Sequence, residues 1–138
     1  MPENPYLSFE QVRAAMNAMI EKALELPDEP VAMAIVDDTG NLVAYAKMDN
    51  LRMFSRRHAI RKAYTSAMMG QDSGAHGDNV RAGGRIVADM GDPMLTPNQG
   101  GLVIRKDGVI LGGIGVGGYP SGQRDEDLAR VGLEAMNL

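Results

Sequence analysis

The densest chemistry in this chain lies in Arg56-Arg57-His58-Ala59-Ile60-Arg61-Lys62, one imidazole among four cations. An imidazole here could be the axial ligand of a metal-bearing macrocycle or could move a proton. Arg57 and Arg61 are spaced i, i+4, share a helix face, and could clamp carboxylates through charge-assisted hydrogen bonds. Lys62, with Arg61, could polarise a carboxylate or carbonyl while His58 transfers a proton. Each reading has a structural counterpart. His58 could sit on a solvated helix face, and the arginines could pair with Asp37, Asp38 and Asp49. The second histidine, His76, lies among Gly, Ala and Asp and is expected in an exposed loop. Neither histidine belongs to an H-E-x-x-H pattern and there is no cysteine, so no structural zinc is expected.

The other conspicuous stretch is Gly112-Gly113-Ile114-Gly115-Val116-Gly117-Gly118. It contains a formal G-x-G-x-x-G at Gly113, Gly115 and Gly118. A dinucleotide site needs a helix and then a second parallel strand beyond it, and the residues that follow suffice for one helix only, so NAD is not expected. The glycines either let a helix pack closely or expose backbone at a pocket floor, with Gly113, Gly115 and Gly117 as its ligand-facing members. Ser55, Thr65 and Ser66 lack a nucleophile elbow. Asp37-Asp38 begins a turn, and Asp125-Glu126-Asp127 sits at a helix N-terminus, where negative charge suits the dipole.

The elements that must position these residues are legible in part. Ser8 and Gln11 form a capping box, followed by Val12, Ala15, Met16, Met19, Ile20, Ala23 and Leu24 at helical spacing, closed by Pro27. Val31–Asp37 and Leu42–Met48 read as strands joined by Asp38-Thr39-Gly40-Asn41. Ser55 is expected to cap a second helix whose inner face is Ala59, Ile60, Ala63, Tyr64, Ala67 and Met68. Gly70–Asp78 reads as a loop, Val80–Met90 as a short helix, and Asp92–Gly101 as a loop. Gly100–Gly118 reads as two strands of a second hairpin joined at Asp107-Gly108, the strongest short-range hairpin signal. Ser121–Met136 is a closing helix with Leu128, Val131 and Met136 inward. Two hairpins among helices predict α/β of the α+β kind, one antiparallel sheet flanked by helices, in a single domain over 1–138.

Composition limits the functions open to this domain. The net charge of −4 argues against nucleic acid and anionic membranes as partners. No apolar run reaches the ~18 residues of a membrane span. Met1–Pro5 lacks a basic region followed by an apolar run, so a cytoplasmic protein is expected. The 11 methionines either fill core gaps or build an adaptable pocket or interface.

Taken in order, Pro30–Ala44, Lys47-Met48-Asp49, Arg61–Ala67, Gly100–Ile104, Gly112–Gly118 and Asp125–Ala129 resemble the GlcG/HbpS family, which includes haem-binding HbpS-like proteins and PduO C-terminal domains. The resemblance spans about Ser8 to Met136. It implies a profilin-like or PAS-like fold and a homo-oligomer, dimer-based and in some members an octamer. It also implies a small-molecule ligand, with haem the candidate cofactor, bound by Arg57, His58, Arg61, Lys62 and the glycine strand, and His58 the candidate for the iron. A second reading is a cofactor-independent catabolic enzyme for a small organic acid, ester or lactone, with His58 and Lys62 as catalytic candidates. A third is an accessory subunit of a catabolic pathway.

Overall fold

A computed structural model describes residues 6–138, and the leader reading of Met1–Pro5 lies outside them. Four helices and one four-stranded antiparallel sheet follow in the order α1 (Phe9–Ala23), β1 (Ala32–Asp37), β2 (Leu42–Lys47), α2 (Met53–Met69), α3 (Ser73–Ala82), β3 (Gly101–Lys106), β4 (Val109–Gly117) and α4 (Gly122–Ala135). A 3-10 turn at Val87–Met90 lies between α3 and β3. The strand order β2-β1-β4-β3 sets the two hairpins side by side, with β1 against β4 at the centre. Both hairpins form as the turn residues predict. Asp107 and Gly108 take φ of 52° and 80°, the left-handed pair that a two-residue hairpin loop requires.

The alternation of the central strand divides the molecule into two layers. Met33 and Ile35 of β1 face α1 and α4, meeting Met16, Met19, Leu128 and Met136 in the larger core. Ala32, Ala34 and Val36 face α2, against Ala59, Ala63 and Ala67. The capping box of α1 is present, Ser8 Oγ accepting from the Gln11 N–H and Gln11 from the Ser8 N–H. This helix ends before the expected stop: Leu24 is its C-cap and is exposed rather than part of the buried stripe.

On α2 the structure departs from the predicted face. The helix starts at Met53, so Ser55 is an internal, buried residue and not the cap. Its inner face is Ala59, Ala63 and Ala67, while Ile60 and Tyr64 are half-buried and Met68 is exposed. The cause is the glycine strand. A Cβ on Gly115 would lie 2.1 Å from the Ala59 carbonyl oxygen, and one on Gly113 2.2 Å from that of Ala63. Backbone meets backbone here, so only small side chains fit between helix and sheet. Gly113 and Gly115 pack directly against the backbone of α2.

The segment 70–90 also differs from expectation. Ser73–Ala82 is helical where a loop was predicted, and the short helix expected at Val80–Met90 is the end of α3 followed by the 3-10 turn. His76 is 2% exposed, not a loop residue in solvent. Gly77 explains why α3 forms there: its Cα lies against the Pro97 carbonyl, where a Cβ would come within 2.1 Å of the oxygen. Packing on the 92–100 loop, rather than local propensity, holds this helix.

Candidate functional site

The residues of α2 from 58 to 65 hold the loop at 92–100 in place, and the two together build the site. Arg61 Nη2 donates to the Leu95 carbonyl at 2.8 Å. Tyr64 Oη donates to an Asp92 carboxylate oxygen at 2.6 Å, and Thr65 Oγ1 accepts from the Thr96 N–H at 2.9 Å. Ser73 of α3 closes the far end, donating to the Asn98 carbonyl and accepting from the Gly101 N–H. Positions 58, 61, 64 and 65 lie on one side of a helix, so a single face supplies every one of the α2 contacts.

His58 is the centre of this arrangement and is 6% exposed. Its Nε2 lies 2.9 Å from Thr96 Oγ1 and 2.7 Å from Asn98 Nδ2. One face of its ring stacks on Phe54, with centroids 4.5 Å apart. Burial, reinforced by the neighbouring charges of Lys62 and Arg61, lowers its pKa to about 4. The imidazole is therefore neutral at physiological pH, the form that can donate a lone pair. Nε2 carries one hydrogen or one lone pair and cannot serve both neighbours fully. Asn98 Nδ2 can only donate, so Nε2 accepts from it and the ring proton sits on Nδ1; in the other tautomer Nε2–H would donate to Thr96 Oγ1 and Nδ1 would hold the lone pair. Nδ1 has no hydrogen-bond partner among the described residues and is not among the fully buried orphan atoms.

The lowered pKa carries a stability consequence. The unfolded chain takes up this proton near the ordinary 6.5, well before the folded protein does. The contribution is fully present above about pH 6.5 and is lost as pH falls toward about 4, at no more than about 1.4 kcal/mol per pH unit. His76, also depressed by burial, acts with the same sign. Urea unfolding between pH 7 and 4.5 is expected to show a shallower loss in His58→Gln than in the wild type. Equal slopes would contradict the burial of a neutral imidazole.

Two clefts meet at His58 and Phe54. The first, of about 540 Å³, is largely apolar and is lined by Met53, Phe54, Arg57, His58, Ile60, Arg61, Pro93 and Met94. Arg61, one of its lining residues, has its Nε buried behind the surface without a partner, a donor left unmatched. Among the described residues neither Arg57 nor Arg61 pairs with Asp37, Asp38 or Asp49. Asp37 instead closes its own turn, accepting from Thr39 and from the Asn41 N–H. The second cleft, of about 430 Å³, is polar and includes Ser55, Lys62, Asn98, Gly117, Ser121 and Asp125. Of Gly113, Gly115 and Gly117, Gly117 lines this second cleft.

Lys62 leaves the charged run altogether. It is buried, with Nζ 2.9 Å from Asp125 Oδ2 and 2.9 Å from the Val116 carbonyl. Asp125, read from sequence as a helix-dipole residue, is the buried partner, and its Oδ1 accepts from the Tyr119 N–H. Burial pushes the Asp125 carboxyl above its ordinary value against the pull of Lys62. Two of the three Lys62 donors are thus engaged in joining α2 to β4 and α4. Sequence reasoning brought Arg57, His58 and Arg61 to one place and missed Thr96, Asn98, Phe54 and Met94. The Pro93–Pro97 segment offered only a loop signal.

Among the described residues no group of three or more His, Asp or Glu side chains could hold a bare metal ion. A metal carried in a macrocycle would need as few as one ligand from the protein, which a neutral imidazole could supply. Among the described residues no helix is long and apolar enough to cross a membrane.

Comparison with known proteins gives a consistent result. The family model described as "Haem degrading protein HbpS-like" matches residues 7–134. The corrinoid adenosyltransferase PduO of Salmonella typhimurium is 28% identical over 135 residues, covering 96% of this chain. The chain spans 39% of that relative's length. The crystal structure of a Streptomyces reticuli HbpS double mutant superposes with a TM-score of 0.84 at 28% identity, covering 97% of this chain and 89% of that one. The crystal structure of a PduOC:heme complex gives 0.85 at 26% identity, covering 96% of each.

Proposed function

The chain belongs to the HbpS-like family, and from that premise we propose that it binds haem or a related tetrapyrrole in the apolar cleft beside His58. The observation that carries the reading is the combination in one cleft of an apolar wall, two arginines and a neutral imidazole with an unpaired nitrogen. Met53, Phe54, Ile60 and Met94 offer an apolar surface to a flat ring. Arg57, exposed at the cleft, offers guanidinium donors to its carboxylates. His58 Nδ1 would ligate the iron once the ring proton moves to Nε2, where Thr96 Oγ1 can accept it, the kind of outer contact that fixes the tautomer of a metal-bound imidazole. Bound haem would supply redox and ligand-binding chemistry at its iron. The protein residues bind, orient and exclude water. The haem complex of the PduOC neighbour supports this reading.

Absorbance titration of the purified protein with haemin tests it. We expect saturation near one equivalent per chain, and several-fold weaker binding in Arg57→Gln, which removes the exposed guanidinium at the cleft. Non-saturating, variant-independent uptake would overturn the assignment.

The catabolic-enzyme reading has a narrower basis. Lys62 is committed to Asp125 and Val116, so it is a structural cation in the resting protein, and turnover would fall to His58 in the polar cleft. For self-association, the support is Leu42, Val43 and Tyr45, all exposed on the edge strand β2. A second copy of the chain would cover them, giving a dimer-based homo-oligomer.

A further inference from the structure

The polar cleft on the other side of His58 has features that the haem reading does not use. Ser55 is 3% exposed and lines this cleft, yet its hydroxyl makes no hydrogen bond among the described residues. The hydroxyl is not among the fully buried orphan atoms, so what little of Ser55 is accessible opens on the cleft, free to bond to whatever enters it. Facing the same space is the start of α4, a helix of 14 residues. Ser121 caps it, its Oγ accepting from the Arg124 N–H and its carbonyl from the Asp125 N–H. The Gly122 and Gln123 N–H groups are left with no acceptor among the described residues, and Gly122 borders the cleft.

The charge of the cleft points the same way. Its one acidic lining residue, Asp125, is neutralised by Lys62 in the floor. Arg52 stands at the rim with no acidic partner among the described residues, and Arg81 stands there with an exposed pair to Asp78. The cleft therefore presents donors and positive charge, with no unpaired carboxylate to repel an anion. Helix N-termini favour anions through free N–H groups and the helix dipole.

We infer that this second cleft, which shares only Phe54 and His58 with the apolar one, binds a small oxyanion, a carboxylate or phosphate ester, between Ser55 Oγ and the N-terminal amides of α4. At about 430 Å³ and with a polar lining, it has room for a small organic acid. The inference does not depend on haem binding. Ser55 does not line the apolar cleft.

Isothermal and NMR titrations of the intact chain with succinate and with inorganic phosphate test it. The expected result is saturable binding of at least one probe, with the Gly122 and Gln123 amide resonances moving downfield, and at least tenfold weaker binding in Ser55→Ala. Arg81→Gln is expected to weaken binding a few-fold and to steepen its salt dependence less than the wild type shows. Whichever probe binds more tightly identifies the carboxylate or phosphate class. A haemin titration of Ser55→Ala should match the wild type, separating failure here from failure of the haem reading. Absence of saturable binding by both probes, or equal binding by Ser55→Ala, would overturn the proposal.

Discussion

Lys62→Met is expected to destabilise the protein by about 3–5 kcal/mol, read as a lower midpoint in urea with an unchanged slope. Methionine nearly matches the lysine stem in length, so the loss is not mainly one of packing. What it leaves is an Asp125 carboxylate, 4% exposed, with only the Tyr119 N–H to satisfy it. The Val116 carbonyl loses its side-chain donor as well. Asp125→Asn has the complementary effect, stranding the Lys62 charge. The double variant Lys62→Met/Asp125→Asn is expected to recover much of the loss, because no unpaired buried charge remains. The pair thus joins α2 to α4 without being a strong net stabiliser, as the upward push on the Asp125 carboxyl indicates. A Lys62→Met protein of near wild-type stability would contradict this account and return Lys62 to the catalytic candidates.

The second large effect is expected at the sheet. Gly115→Ala would place a methyl 2.1 Å from the Ala59 carbonyl oxygen and 2.5 Å from the Ala63 nitrogen, both backbone atoms of α2. Neither can yield alone, so the whole helix must lift from β4 and β1. That movement would open the interface of Ala59, Ala63 and Ala67 with the strands. We expect a loss of about 3 kcal/mol or more, at the upper end of overpacking effects. Because α2 carries His58, Arg61 and Lys62, ligand binding should fall with stability. Gly83→Ala is the control, since its nearest neighbours stand at 3.6 Å, and its effect should be near zero. A Gly115→Ala midpoint matching that control would show that α2 does not sit as closely as described.

These two substitutions also show where sequence reasoning reached and where it stopped. The hairpins were legible because Asp107-Gly108 and Asp38-Thr39-Gly40-Asn41 have few alternatives to a turn. The α1 boundary at Ser8 was legible because capping is local chemistry. The inner face of α2 was misread because hydrophobicity favours Ile60, Tyr64 and Met68 over alanine. The informative signal was relational: alanines at 59, 63 and 67 match glycines at 117, 115 and 113 across the interface. Small residues on both sides let the backbones touch. The helix α3 was missed because Gly74 and Gly77 argue against a helix, and the close approach to Pro97 that requires Gly77 is tertiary.

The site was legible to the same partial degree. Arg57, His58 and Arg61 stood out by type and spacing, and the structure places all three on one cleft. Lys62 shared their spacing but not their fate, since its position turns it toward Asp125, 63 residues away in sequence. Thr96 and Asn98, which hold the His58 ring, lie in a loop whose sequence gives no hint of what it contacts. The buried state of His76 had no sequence signal either.

The measurement that tests the central claim most directly is the haemin titration of His58→Ala run beside the wild type, followed at the Soret band. The account predicts a saturable wild-type spectrum of nitrogen-ligated haem. In the variant it predicts loss of that band position and at least tenfold weaker binding, with urea unfolding used to confirm that the variant is folded. An identical spectrum and affinity in a folded His58→Ala protein would contradict the placement of the iron at His58.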